Sequence, residues 1–536
     1  MSKVPQGILE SLTRYIRENP IRMHMPGHKG MTTRPVQEMP GEVLEAVKAL
    51  DITEVPGMDN LHYPRGAIRA TERALSRAFG TSRTHCLVNG ATSGILASLL
   101  AIRMTLGKGR IIVPRNAHRS IVSGLVLSGL EPLFVYPEYD ASLGGYLPLQ
   151  VSDIKKQLKG WPSNGRCSLA GRIKDIRGMV LVNPTYFGMA RDTSGLCLLA
   201  GEMGIPVVAD EAHGTLFPFS GRFPPSAIGT GASLVVHGVH KTSKAFTQTG
   251  LLHVAQTCTD MFPGLAENVQ EALRLVQSTS PSYLLLASLE RAMEDFSQDS
   301  EWVQTVVESG RGLASRLSRI QGLEVRVPWE GTEPNGDTAR PGRDRGFLWD
   351  PGKILVGVSA LGITGPQAQA ILWEKNRVVP EMVGFDYVLL MVTGSDTSST
   401  IERVVRGFEA LSNECLGPGA TVAALQYSRP LPGEREGCKF FTKTLEQEPP
   451  RAKRVMSLSQ AFYSNSRPFS LRDSIGKICA DTIFIYPPGS PIVVPGERID
   501  DAIVKYLNAA MKCGLEVLGR GYSDYQREMK VFCVEQ

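Results

Sequence analysis

Seven short apolar runs recur through the first half of the chain: Cys86–Val88, Ile111–Val113, Leu133–Tyr136, Met179–Val182, Val207–Ala209, Leu234–Val236 and Leu251–Ala255. Segments mostly of helix length separate them. Such runs are too short for helices, and they are apolar on both alternating faces, which is the mark of strands covered on two sides. The spacing predicts an α/β fold with a mostly parallel, doubly wound, seven-stranded sheet. Ligands of such sheets sit beyond the carboxyl ends of the strands, so chemically loaded residues should follow the runs. They do: NGATSG (Asn89–Gly94), PRNAHRS (Pro114–Ser120), NPTYFG (Asn183–Gly188), DEAHG (Asp210–Gly214) and HGVHK (His237–Lys241) each follow one. All nine histidines lie at or before His253, which assigns any imidazole chemistry to this half.

Lys241 arrives after a break at Gly238 and is followed by the hydroxyls of Thr242, Ser243 and Thr247. A lysine there is either a solvated loop charge or a Schiff-base amine, which must be partly desolvated beside an aldehyde. NGATSG offers backbone amides and the hydroxyls of Thr92 and Ser93 at a helix start, an arrangement that binds a phosphate dianion or simply caps a helix. Asp210 at a strand end either caps the next helix or supplies a fixed negative charge to a protonated pyridine nitrogen, with Ala212 small enough for a ring to lie against it. His118 and His213 follow strand runs as Asp210 and Lys241 do, which groups the four in one pocket. Tyr186 reads as packing.

Several classes are excluded. The chain lacks GxGxxG and a GxxxxGK loop, so neither a dinucleotide nor P-loop chemistry fits, and DEAHG is not a helicase signature without that loop. Lys and Arg number 58 against 53 Asp and Glu, a net +5 too slight to argue for nucleic acid. The nine cysteines are scattered, with no CxxC pair, which favours reduced thiols in a cytoplasm over disulfides or a zinc site; no metal-ligand set is expected. No apolar run reaches the roughly 18 to 20 residues of a membrane span.

Outside the runs, Ile8 to Ile16 reads as an amphipathic helix, and IRMHMPGHKG (Ile21–Gly30) as a polar loop or an arm lining a site. An amphipathic helix is expected around Thr71–Phe79, and a hydroxyl-rich turn and helix over Gln277–Ala292. WDPGKILVGV and VLLMVTG suggest strands of a smaller α/β unit. Residues 328–346 read as an excursion, and the Pro/Gly-rich stretch from Gly417 as a linker. The expected division is 1–45, helix and arm; 46–320, large domain; 321–416, small α/β domain; and 417–536, C-terminal domain.

Taken in order, HMPGHKG, TEVPGMDNLH, NGATSG, PRNAHRS, PTYFG, DEAHG, the His240–Lys241 pair, STSPSYLLLASLE and YPPGSPIVVPGE resemble the Orn/Lys/Arg decarboxylase family, in a short form without an N-terminal receiver-like domain. The resemblance implies an aspartate-aminotransferase-like, fold type I enzyme with smaller α/β C-terminal regions, using pyridoxal 5′-phosphate. It implies that Lys241 carries the cofactor, that Asp210 pairs with the pyridine nitrogen, and that Ala91, Thr92 and Ser93 hold the phosphate. It further implies that His118 stacks on the ring and that Ala212, His213 and His240 complete the surroundings. The expected reaction is decarboxylation of a basic amino acid in polyamine metabolism: arginine to agmatine first, then lysine to cadaverine or ornithine to putrescine. His118, His213 and Lys241 are the candidate proton donors. A cationic substrate side chain needs a carboxylate, for which Asp481 is chosen first, with Glu54 and Glu381 behind it. The family also implies a homodimer or higher homo-oligomer with shared sites, completed by the TSPS turn and the N-terminal arm. Two departures stand out: Gly238 replaces the family's usual serine, and Leu458–Ser459–Gln460–Ala461 replaces proline-arginine-glutamate-alanine. The alternatives are an aminotransferase or aldolase-type enzyme, with Arg377 or Arg403 as carboxylate ligand, and a cofactor-binding regulator without catalysis.

Overall fold

The computed structural model describes residues 21–24, 47, 51, 58–141, 143–158, 175–326, 346–417, 444–445, 447–486, 489–521 and 529–535. Its centre is a seven-stranded sheet of β1 (Arg83–Leu87), β2 (Arg110–Pro114), β3 (Glu131–Val135), β4 (Ile176–Val182), β5 (Val207–Asp210), β6 (Leu234–His237) and β7 (Gly250–Val254). The spatial order is β1-β7-β6-β5-β4-β2-β3. All neighbours are parallel except β7, which runs antiparallel to β6 and β1. The seven expected strands are therefore present.

Alternation within the strands explains the two covered faces. Ile111, Val113, Val180, Val208, Leu234 and Val236 enter one core with Ile95, Leu99, Ile121, Leu125, Val269 and Leu273. Their neighbours Ile112, Met179, Leu181, Val207, Ala209 and Val235 enter another on the opposite side. A period of two with both phases apolar buries most of the strand residues, and each such buried Leu, Ile or Val contributes about 1.5–3 kcal/mol. Helices α1 (Ala67–Phe79), α2 (Gly90–Leu106), α3 (Arg119–Ser128), α4 (the single turn Val239–Thr242), α5 (Leu265–Val276) and α6 (Tyr283–Arg291) belong to this layered body. Ser282 caps α6 by accepting the Leu285 amide, as the hydroxyl-rich turn predicted.

Beyond α7 (Glu301–Leu317), a four-stranded sheet is built from β8 (Glu324–Val325), β9 (Lys353–Gly357), β10 (Met382–Val383) and β11 (Tyr387–Met391), in the order β8-β9-β11-β10 with all pairs antiparallel. Helices α8 (Gly365–Asn376) and α9 (Ser398–Leu416) pack on it. Ile21–Met23 is a correction to the sequence reading. It is a strand, not a loop, paired in parallel with Val378–Pro380, and the alternating Ile21 and Met23 are buried in the small-sheet core. The polar residues that follow in the sequence masked that two-residue period. Residues 8–16, the 328–345 excursion and the stretch 418–437 lie outside the described residues.

The C-terminal region carries α10 (Leu458–Tyr463), the three-stranded sheet of β12 (Ile483–Tyr486), β13 (Pro491–Val493) and β14 (Glu516–Leu518), and α11 (Asp501–Lys512) over its own core. Among the described residues, no helix is long and apolar enough to cross a membrane.

Candidate active site

The carboxyl ends of β2, β4, β5 and β6 open into one cavity of about 410 Å³, lined among others by Thr92, His118, Asp210, Ala212, His213 and Lys241. The four residues grouped from sequence thus share a wall. Lys241 sits in the single turn α4, where its backbone amide bonds Gly238 O, and its side chain is carried into the cavity. Its Nζ lies 2.9 Å from His213 Nε2. Burial, opposed by Asp210 and reinforced by Lys353, pulls the amine down to about 8. Such an amine is a usable nucleophile near neutral pH, as a surface lysine is not.

Asp210 ends β5 with one carboxylate oxygen accepting the Ala212 amide at 3.3 Å. Burial raises its carboxyl, while Lys241 opposes that shift. A buried carboxylate in this position calls for a cation. His118 caps α3: its Nδ1 accepts the Ser120 amide at 3.2 Å and lies 2.9 Å from the Ser120 hydroxyl. That bond places the ring proton on Nε2. Burial and the positive charges of Lys241 and Arg119 push His118 down to about 4, so the ring is neutral at physiological pH. Gly489, beyond β12, accepts the Arg119 amide at 3.2 Å and lies so near His118 that a Cβ on it would meet that ring at 3.3 Å. The C-terminal region therefore buttresses that histidine. His240 Nδ1 lies 2.8 Å from Thr249 O and so carries the proton of that ring.

At the start of α2 an anion would find open donors. The Asn89 side chain does not cap the helix, since its Oδ1 accepts the Ser278 amide instead. Ala91 and Thr92 line the cavity, and a Cβ on Gly250 would press on Ala91 N at 3.1 Å, so only bare backbone fits behind this turn. Ser93 is buried and its hydroxyl donates to Gly90 O at 2.8 Å, bracing the turn from behind and absent from the cavity lining. Two further lining residues hold buried atoms without a partner, Asn116 Oδ1 and Arg115 Nη1.

The carboxylates expected to meet a cationic substrate separate. Asp481 does not line the cavity: its oxygens accept the amides of Thr482 and Arg520, so it is a turn-stabilising acid of the C-terminal region. Glu54 lies outside the described residues. Glu381 does not line the cavity either: it accepts the Tyr186 hydroxyl at 2.6 Å, and it is Tyr186 that forms the wall, with its ring edge-on to His213. Tyr186 is therefore a wall residue and not mere packing. Neither Arg377, whose guanidinium lies over Trp373, nor the exposed Arg403 lines the cavity.

Comparison with known proteins settles the family. The chain matches the Orn/Lys/Arg decarboxylase major domain over residues 7–399 and the C-terminal domain of the same family over residues 441–519. The chain belongs to the Orn/Lys/Arg decarboxylase family. It is 30% identical to proteins named arginine decarboxylase from Bacillus anthracis, over 97% of this chain and 96% of that one, and from Bacillus subtilis, with the same shares. It is 24% identical to the lysine decarboxylase LdcA of Pseudomonas aeruginosa, over 93% of this chain and 75% of that one. Among solved structures, lysine decarboxylase A from Pseudomonas aeruginosa superposes with a TM-score of 0.71 at 19% identity, covering 97% of this chain and 81% of that one. The Francisella novicida lysine decarboxylase LdcF gives 0.70 at 18% identity, covering 96% and 81%. The fold is the type I architecture expected from the sequence.

Within the family, the two departures have local explanations. A Cβ at Gly238 would meet Ala212 O at 2.9 Å and the Lys241 stem at 3.1–3.2 Å, so glycine suits this backbone. Ser459 and Gln460 lie in α10, which packs beside α3, and neither lines the cavity. Sequence reasoning missed Lys353, which is fully buried with Nζ 3.1 Å from His213 Nδ1. Its signal was a lysine heading an otherwise apolar strand, KILVG. Tyr136, Tyr139, Tyr146, Tyr387 and Tyr506 were also missed as lining residues, since scattered tyrosines carry no pattern.

Proposed function

We propose that this chain is a pyridoxal-5′-phosphate-dependent decarboxylase of a basic L-amino acid, converting arginine to agmatine and CO₂ in preference to lysine or ornithine. The observation that carries the reading is the half-buried, low-pKa amine of Lys241 in one cavity with Asp210, His118 and His213. Arginine is put first because the Bacillus relatives that span nearly the whole chain bear that name.

The residues present fit the cofactor. Lys241 offers the amine that would hold its aldehyde. Ala91 and Thr92, at the uncapped start of a 17-residue helix, offer amides and a helix dipole to its phosphate, with Ser93 holding the turn. Asp210 offers the buried carboxylate a cationic ring nitrogen requires, and Ala212, His118 and His240 supply the surrounding wall. When bound, the cofactor supplies the sink for the electron pair released as the α-carboxylate leaves.

The chain's own groups do the rest. Asp210 keeps negative charge where a protonated ring nitrogen needs it. His118, neutral and fixed by Ser120 and Gly489, presents Nε2–H and a flat face to the cavity. His213 and Lys241, 2.9 Å apart, can pass a proton between Nε2 and Nζ, so either can deliver the proton that replaces CO₂ at the α-carbon. Glu381, held by Tyr186, is the candidate counter-charge for the substrate's cationic end. Glu381 stands behind Tyr186 and is not itself in the cavity wall; Asp386 is, but Arg326 engages its carboxylate. A homodimer with shared sites, completed by the turn Thr279–Ser282 and the N-terminal arm, and a cytoplasmic location belong to the same reading.

The test is a product screen. Purified protein with cofactor is offered arginine, lysine and ornithine while CO₂ and amine are measured. Agmatine should form fastest, and the absence of amine from all three would sink the proposal.

A further inference from the structure

Lys353 is the largest fully buried side chain of the described residues, and it comes from the small sheet to reach His213 from behind the cavity wall. Its Nζ lies 3.1 Å from His213 Nδ1, while Lys241 Nζ lies 2.9 Å from Nε2 of the same ring. One imidazole thus stands between two lysine amines.

Hydrogen-bond counting restricts what these three groups can hold. His213 is buried beside two lysines and is kept well below its ordinary value, first by desolvation and then by their charges, so the ring is neutral. A neutral imidazole has one N–H and one lone pair. It can accept from one ammonium and donate to one amine, but it cannot accept from two ammonium groups. Both contacts are satisfied only when at least one of the two lysines is neutral, so the trio holds at most one positive charge, on the lysine that donates to the ring's lone pair. The other neighbours allow the charge to rest on either side. Lys353 is faced by the negative charges of Asp350 and Glu381, with Met391 Sδ at 3.5 Å and the Tyr186 ring 5.3 Å away, while Lys241 is faced by Asp210. His118 and His240 are the remaining titratable groups acting on His213.

We infer that Lys353 is a positioning residue for the decarboxylase reaction, serving as the proton reservoir of a Lys241–His213–Lys353 relay. The inference rests on the reading of Lys241 as the reactive amine. When Lys241 gives up a proton, the Nζ–H bond breaks and an Nε2–H bond forms on His213; the Nδ1–H bond breaks and an Nζ–H bond forms on Lys353. The single positive charge moves from one lysine to the other and the imidazole stays neutral, with its tautomer reversed. Running backwards, the same relay returns a proton to Lys241. The amine can therefore be made nucleophilic by passing its proton along the relay and not to solvent.

The full-length protein, freed of cofactor, is treated with trinitrobenzenesulfonate across a pH series, and labelling at the Lys241 peptide is quantified by mass spectrometry. Lys353→Met removes the reservoir and should raise the pH of half-labelling by about one unit or more, roughly tenfold less reactive amine at a fixed pH below the midpoint. Lys353→Arg fixes the charge at position 353 and should lower that pH below the wild-type value. Movement of the midpoint in opposite directions is a result that a merely structural lysine would not give. Should Lys353→Met not fold, Lys353→Arg decides by itself: a lower midpoint supports the relay, and an unchanged or higher one overturns it. Equal shifts in both variants, or none in either, also overturn it. Failure of the cofactor reading is distinguished independently by mapping the lysine to which the cofactor is reductively fixed.

Discussion

Arg115 Nη2 lies 2.8 Å from Glu497 Oε2, an ion pair buried to 5% and 2% side-chain exposure that ties the loop after β2 to the C-terminal region. The same nitrogen donates to Ile492 O at 2.8 Å, and Glu497 Oε2 accepts the Val494 amide at 2.9 Å. The pair fixes the segment that continues from the His118 buttress. Glu497→Ala would leave the guanidinium buried without its partner, which costs about 3–5 kcal/mol. Denaturant unfolding should show that loss, and a change below about 1 kcal/mol, the range of an exposed pair, would mean that the guanidinium is not buried as described.

Acid should destabilise the fold before it affects surface carboxylates. His118 is held at about 4, and His213 and His253 well below 6.5, all three chiefly by burial. Below pH 6.5 the unfolded chain takes up protons that the folded one refuses, so stability present above 6.5 is lost as the pH falls toward 4. The slope is at most about 1.4 kcal/mol per pH unit for each group. Asp350, raised to about 6 by burial, acts in the opposite sense between 6 and 3.8. So do Asp153, Asp210, Asp295 and Asp481, which burial also raises from 3.8, whereas the three histidines act from 6.5 downward. The denaturation midpoint at pH 5 should therefore lie clearly below that at pH 7.5, and a flat profile would contradict the burial of neutral histidines.

Asp210→Asn preserves shape and removes the charge that a cationic ring nitrogen would require. Cofactor should still bind, while kcat falls about 10²–10³-fold, the scale of losing one well-placed electrostatic partner. Turnover within a few-fold of wild type would show that Asp210 has been given the wrong task.

Much of this was legible in the chain. The strand runs and the loaded loops behind them gave both the sheet and most of the cavity, because a strand buried on two faces must be apolar and its end must carry the chemistry. What could not be read depends on pairs distant in sequence. Lys353 joins His213 across 140 positions and Arg115 joins Glu497 across 382, and no local pattern announces either contact. Asp481 was chosen for its place before a recognisable turn, but its carboxylate is spent on the amides of Thr482 and Arg520. The reversed direction of β7 was likewise invisible, since an apolar run has no polarity of its own.

Gly238→Ser, which would supply the family's usual hydroxyl, should impair the protein rather than improve it. Its Cβ meets a backbone carbonyl, Ala212 O, at 2.9 Å, and the Lys241 stem lies on the other side. Overpacking of this kind costs about 1–3 kcal/mol, and displacement of the lysine should lower kcat. Equal or higher activity with unchanged stability would show that the turn yields more readily than its contacts indicate.

The central claim is that one particular amine holds the cofactor. Borohydride reduction of the protein loaded with pyridoxal 5′-phosphate, followed by digestion and mass spectrometry, tests it most directly. The account predicts a single reduced adduct on the peptide containing Lys241, lost in Lys241→Ala. An adduct on another lysine, Lys353 included, or no adduct at all, would contradict it.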